Sequence, residues 1–298
     1  MGLGKLWRKA RLFGPGVLLA RGADRMAGRP VTGTSPIVVG GCGRSGTTLL
    51  RVMLDSHRNI CCGPESELLF DKPVRLNVLA ERFDIAPRTL AGLYKQARSR
   101  AGFVDAFFRE YCTGRQKRRW AEKSPGNLMN LDYIFAAFPE ARFIHMIRDG
   151  RDVACSWRTH PRHKVVNGQL VPTNIRRPIG ECIEKWVDAM AAARPWRADE
   201  RYMEVHYEQL VREPAETLRK IMAFVDEPWD EGMLDYHRVD SGSRDVTRFP
   251  QNPEATRAIE TKSLSRWQQD LSDDEKAIVK DRAGDLLIEM GYESSLDW

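Results

Sequence analysis

The sequence predicts an α/β fold, a P-loop-type parallel sheet flanked by helices, with helical cap insertions over it. Three observations lead there. A β-branched run bounded by glycines occupies residues 36–40, a glycine-rich turn follows it and opens a helix, and short apolar runs then alternate with helical periodicities along the chain. Such alternation implies parallel strands joined by right-handed crossovers, so a ligand belongs beyond the strand carboxyl ends.

Residues 1–30 read as a basic, Gly-rich extension ahead of a domain at 31–298. In it Leu3, Leu6, Trp7, Ala10 and Phe13 share a helical face opposite Lys5, Arg8, Lys9 and Arg11, a pattern compatible with weak membrane-surface contact through residues 1–13. Gly14-Pro15-Gly16 stops it after about three turns, which favours a tail packed on its own domain or partly disordered. Order begins with the buried strand at 36–40, and a helix follows from Gly46 with Leu50, Met53 and Leu54 on one face. Residues 72–118 read as helices with Arg and Lys outward, interrupted by Pro87 and Gly102, forming a cap over the strand edge.

A short strand end at 120–125 leads to a helix at 127–138, and a second buried strand at 141–147 runs into Arg148. The next helix carries Val153 to Trp157, the polar stretch 160–178 reads as a surface insertion or lid, and a helix at 179–198 precedes a third strand at 203–206. Pro214 starts a helix whose Leu218, Ile221, Met222 and Val225 face the core. Residues 239–262 lack periodicity and read as a loop. Ser272 and Glu275 form a capping box for the last helix, striped by Val279, Ala283, Leu286 and Met290. No internal repeat is visible.

At 298 residues and 42% hydrophobic content the chain can bury one substantial core, so a single domain is expected. The 47 Lys and Arg against 41 Asp and Glu give +6, which favours anionic partners. No nucleic-acid-binding module or basic, base-stacking stretch occurs, so no nucleic acid partner is expected. Cysteines 42, 61, 62, 112, 155 and 182 lack CxxC spacing and nearby histidines, which argues against zinc and for a reducing compartment. No run approaches the roughly 20 apolar residues of a membrane span, and Val17 to Ala20 is too short for a secretory core, so a soluble or membrane-peripheral protein is expected. A homodimer is left open.

Residues 41–48, Gly-Cys-Gly-Arg-Ser-Gly-Thr-Thr, stand between strand and helix, where backbone N–H groups and the helix dipole cradle an anion. The glycine spacing is that of a Walker A loop, but Thr47 replaces the lysine that reaches the β and γ phosphates. A metal-dependent P-loop kinase or NTPase is therefore disfavoured, and a non-catalytic nucleotide-binding protein is the other alternative. Sulfuryl transfer suits the loop better, because the transferred group carries less charge than a γ-phosphoryl and its donor can be held without a metal. Arg44 then supplies a planar fork for the 5′-phosphate and the leaving bridge oxygen.

Here the sequence resembles the P-loop sulfotransferases, and within them the tyrosylprotein sulfotransferase branch. The resemblance rests on GGCGRSGTTLLRVMLDSH at 40–57, CGPE at 62–65, EKSP at 122–125, RFIHMIRDGRDVACS at 142–156, YEQLV at 207–211 and SLSRW at 263–267. It implies 3′-phosphoadenosine-5′-phosphosulfate as co-substrate, no metal, and a hydroxyl acceptor: a protein tyrosine, a glycan, a lipid or a small phenol.

The resemblance further implies that Gly43, Arg44, Ser45, Gly46, Thr47 and Thr48 hold the 5′-phosphosulfate, that Arg148 and Ser156 bind the 3′-phosphate, and that Tyr207 and Arg266 lie near the donor. It implies Glu65 as the base that takes the acceptor's proton, and Lys123, with Arg44, as the cation on the sulfuryl oxygens. Glu67 and His57 are the rival bases, His57 reading as a packed, hydrogen-bonded residue and Glu67 as a solvated charge. Asp149 can be read as a helix cap or as a Walker B carboxylate. The secreted members of the branch pair the cysteine at position 62 with one at the position of Ala121, so that disulfide cannot form here and a cytoplasmic setting is expected. Glu67 and Asp71 stand where those enzymes place basic residues that read acidic peptides.

Overall fold

The computed structural model describes residues 30–70, 72–160, 162–166, 169–173, 176–238, 261 and 264–298. The expected amphipathic tail at 1–13, Asp71 and nearly all of the expected loop at 239–262 lie outside the described residues.

The main sheet has five strands, β1 (Ile37–Gly41), β2 (Ile60–Cys62), β3 (Arg119–Lys123), β4 (Arg142–Ile147) and β7 (Tyr202–His206), in the order β2-β3-β1-β4-β7. Every pairing is parallel, as the alternation implied. In the central strand β1, Ile37 and Val39 join the apolar cluster on one face and Val38 the cluster on the other, each fully buried. That is the two-residue period of a strand covered on both sides, where each such side chain contributes about 1.5–3 kcal/mol on burial. From β1 the chain builds β2 and β3 on one side, then β4 and β7 on the other. The carboxyl ends around β1 are therefore a switch point, the place where open α/β sheets bind ligands.

Helix α1 (Thr47–Ser56) leaves β1 and seats Leu50, Met53 and Leu54 in the core, as expected. The cap consists of α2 (Leu76–Phe83), α3 (Pro87–Gln96) and α4 (Arg100–Thr113). Pro87 does not interrupt a helix but begins one, where its missing N–H costs nothing. Gly102 breaks nothing either. Its N–H donates to the Ser99 hydroxyl at 3.0 Å, so it belongs to the capped first turn of α4. Phe83 packs edge-on to Phe107 at 4.8 Å, and Phe108 stacks on Trp120 of β3 at 4.7 Å, which fixes the cap to the sheet.

A 3₁₀ turn (Pro125–Asn130) and α5 (Leu131–Ala137) together replace the single helix expected at 127–138. Helix α6 (Gly150–Thr159) follows β4, and the expected insertion contains a separate hairpin of β5 (Arg162–Val166) and β6 (Gln169–Thr173). Helix α7 (Ile179–Ala193) ends in a 3₁₀ turn, and α8 (Tyr207–Arg212) and α9 (Pro214–Phe224) lead to α10 (Trp267–Asp270) and α11 (Asp273–Glu289). The Ser272–Glu275 capping box of α11 is present in both directions. Leu287, fully buried, does the packing assigned to Leu286, which is half-buried.

Candidate active site

The loop between β1 and α1 carries two residues in the left-handed region. Arg44 has φ +76°, and Gly46, the N-cap of α1, has φ +84°. Gly46 is required twice over, because a Cβ there would also lie 2.3 Å from the Tyr207 ring. The Ser45 hydroxyl is buried and meets no hydrogen-bonding partner among the described residues. A buried hydroxyl left unsatisfied at the mouth of a helix N-terminus fits an anion that would complete it.

Thr48, Lys123 and Glu65 meet beyond these strand ends. Lys123 closes β3 and pairs in register with Val39 of β1, so its side chain emerges beside the loop. Its Nζ donates to Thr48 Oγ1 at 3.2 Å and lies 2.5 Å from Glu65 Oε1. The Lys123 side chain is 2% exposed and that of Glu65 is 37% exposed, so the open face of the ion pair belongs to the carboxylate. A hydroxyl can therefore reach Glu65 while the cation stays desolvated, where its field is strongest. Gly63 makes this loop possible, since a Cβ there would lie 2.7 Å from both Phe83 and Tyr111 of the cap.

The rival bases are occupied elsewhere. His57 is fully buried; its Nδ1 accepts from the Asn59 N–H at 3.0 Å and its Nε2 donates to Pro228 O at 2.9 Å. Glu67 pairs with Lys72 at 3.0 Å on the surface.

Arg148 leaves the end of β4 and Ser156 lies two turns along α6, and Arg44 joins them. Arg44 Nε donates to Ser156 Oγ at 2.9 Å, and Arg148 Nη1 donates to the Arg44 carbonyl at 3.3 Å. The Arg148 guanidinium lies over the Tyr207 ring, 4.7 Å from its centroid. Arg44 thus stands on the Arg148 side, with its side chain directed at Ser156. Arg266 makes its contacts with Asp270, at 2.6 and 2.7 Å. Asp149 accepts from Arg151 N–H at 2.9 Å and from the Arg151 guanidinium, so it acts as the helix cap.

Two carboxylates were missed in the sequence. Glu122, one residue before Lys123, is fully buried and accepts from Ser66 N–H, the hydroxyls of Ser66 and Ser124, and the Asn127 amide. Burial pushes its carboxyl above the ordinary value, opposed by these donors. It fastens the Glu65–Ser66 loop to β3, and its place inside EKSP was the available signal. Asp152 accepts from Ser265 N–H at 2.9 Å and Trp267 N–H at 3.0 Å, and its other contact is Arg148 at 3.8 Å. Burial holds its carboxyl up at about 6, with Arg148 pulling it down. Asp152 thereby brings the segment around Arg266 to the Arg148 side.

A cavity of about 940 Å³ lies along α7 and α11 and shares no lining residue with this cluster. The strand-end position and the chemistry of the side chains, rather than cavity size, mark the site.

Residues 36–231 match the model of the sulfotransferase family. The protein-tyrosine sulfotransferase of Drosophila melanogaster is 28% identical over 272 residues, covering 86% of this chain and 51% of that protein. Protein-tyrosine sulfotransferase 1 of Danio rerio is 27% identical over 274 residues, covering 86% and 72% respectively. Thus the chain spans about half the length of the fly relative. Among solved structures, the sulfotransferase domain of a Synechococcus olefin synthase superposes with a TM-score of 0.61 at 21% identity, over 85% of this chain and 97% of that one, and shares the fold. With about two thirds of its length matched by the family model, the chain belongs to the sulfotransferase family.

Proposed function

We propose that the chain transfers the sulfuryl group of 3′-phosphoadenosine-5′-phosphosulfate to a hydroxyl acceptor, with a tyrosyl hydroxyl of a protein or peptide as the first candidate. The carrying observation is the Thr48–Lys123–Glu65 chain at the mouth of the phosphate loop. The acceptor oxygen forms a bond to sulfur as the bond from sulfur to the donor's bridging oxygen breaks. Glu65 takes the acceptor's proton, and 3′,5′-bisphosphoadenosine leaves. Lys123 and Thr48 stabilise charge on the sulfuryl and bridging oxygens, a preorganised arrangement of the kind that lowers barriers most. Arg148, Ser156 and Arg44 hold the 3′-phosphate end, with the Ser45 hydroxyl and the N-terminus of α1 at the other. The donor set is cationic and hydroxylic, which fits two anionic groups.

The tyrosyl acceptor is supported by relatives named as protein-tyrosine sulfotransferases. Glu67 sets a negative charge near the acceptor side, only partly offset by exposed Lys72, which favours a less acidic peptide. Cys62 pairs in register with Ala121, and the six cysteines are free, which fits a reducing, cytoplasmic setting. Among the described residues no helix is long and apolar enough to cross a membrane.

The test is transfer of labelled sulfate from the donor over cell extracts, followed by identification of the labelled product, with peptide, glycan, lipid and phenol acceptors as parallel arms. Label on tyrosine supports the reading in full; label on a glycan or lipid alone replaces the acceptor; no transfer with any arm sinks the proposed activity.

A further inference from the structure

The turn that presents Arg148 is braced from behind by the segment that follows α11. After Gly291 the chain doubles back, and the Tyr292 hydroxyl lies 3.2 Å from Glu208 Oε2 and 3.0 Å from His206 Nδ1. The other oxygen of Glu208 accepts the Asp149 backbone N–H at 2.9 Å, the peptide directly after Arg148. Glu208 also follows Tyr207, whose ring underlies the Arg148 guanidinium. One carboxylate thus fixes both the peptide beside Arg148 and the helix that carries its ring platform, and Tyr292 fixes that carboxylate.

A second line runs parallel to the first. Glu293 pairs with Arg151, which grips the Asp149 carboxylate at 2.8 Å. The Arg151 guanidinium sits in the corner made by two edge-to-face indoles, 3.8 Å from the Trp267 centroid and 4.7 Å from that of Trp298. Both lines end on Asp149. Burial beside Glu208 pushes the Tyr292 phenol above its ordinary value, so it keeps the proton the bridge needs.

We infer that Tyr292, acting through Glu208, is a positioning residue that sets Arg148 for the 3′-phosphate of the donor. This rests on the assignment of Arg148 to that phosphate, and the test separates the two. Calorimetry on the full chain gives the affinities of 3′,5′-bisphosphoadenosine and of 5′-AMP, whose ratio reads the 3′-phosphate contact alone. Tyr292→Phe keeps the ring and removes the hydroxyl, so the ratio should fall about three- to tenfold, the value of one hydrogen bond, with 5′-AMP affinity unchanged. Glu208→Gln, whose amide can serve both neighbours, should keep most of the ratio, whereas Glu208→Ala should lose it. A ratio unchanged in Tyr292→Phe, while Arg148→Ala collapses it, overturns the brace and spares the phosphate seat. An equal loss for both nucleotides in Tyr292→Phe also overturns it, because that is general loosening. If Arg148→Ala itself leaves the ratio intact, the seat is wrong and the brace falls with it.

Discussion

The proposed donor side and the proposed acceptor side of this site are built in different ways. The donor side consists of backbone turns and side chains that leave the ends of adjacent parallel strands, so short-range spacing positions them. The acceptor side is a loop gripped from outside. Arg82 of α2 donates to the Glu65 carbonyl, and Arg100 of α4 donates to the carbonyls of Leu68 at 3.0 Å and Lys72 at 2.7 Å. The proposed base is therefore held by cap helices that make no part of the phosphate seat, together with Glu122 and Lys123 at the end of β3. Donor binding and acceptor chemistry should separate under mutation.

The strongest way to break that division is Glu65→Gln, which keeps size but removes the base. Transfer should fall about 100- to 10,000-fold with donor affinity unchanged, as read by single-turnover kinetics and calorimetry. If Glu67→Gln or His57→Ala is the silent variant instead, the base is misassigned. On the other side, Arg148→Ala and Arg44→Ala should each weaken donor binding by about 1.5–3 kcal/mol, the scale of a charge-assisted contact. Unchanged affinity in both would refute the donor seat. A smaller effect is expected from Arg82→Gln, with an acceptor KM raised roughly three- to tenfold and donor affinity constant, because one carbonyl loses its charged donor. A matching loss of donor affinity would mean the two sides are one unit. The smallest effect is none at all: excess EDTA should leave turnover unchanged, since Arg44, Lys123 and backbone amides offset the donor's charge, whereas activity lost and then restored by Mg²⁺ would return the kinase alternative.

The same division governs what the sequence reveals. β1, α1, β4 and the capped α11 are legible because β-branched runs, a glycine turn and a Ser–Glu box act within a few residues. The pairing of Glu65 with Lys123 is reachable only through a resemblance, since 57 residues, the cap helices among them, intervene. Gly102 looks like a helix break in the sequence, but a glycine costs little in a first turn capped by Ser99. The direction of Arg44 toward Ser156 depends on its positive φ, which no residue type signals. Glu122 and Asp152 look like ordinary surface charges until the fold buries them, and burial is a long-range property.

The central place of β1 also has a consequence in time. Ile37 pairs with Ala121 on one side and Arg142 on the other, so the first strand waits for partners made much later on the ribosome. Closing such distant contacts is entropically costly and slow. A nascent chain ending before Arg142 contains every residue of the phosphate loop and the β3 neighbour yet lacks β4, so the proposed capacity to hold a nucleotide arrives late, together with the completed sheet.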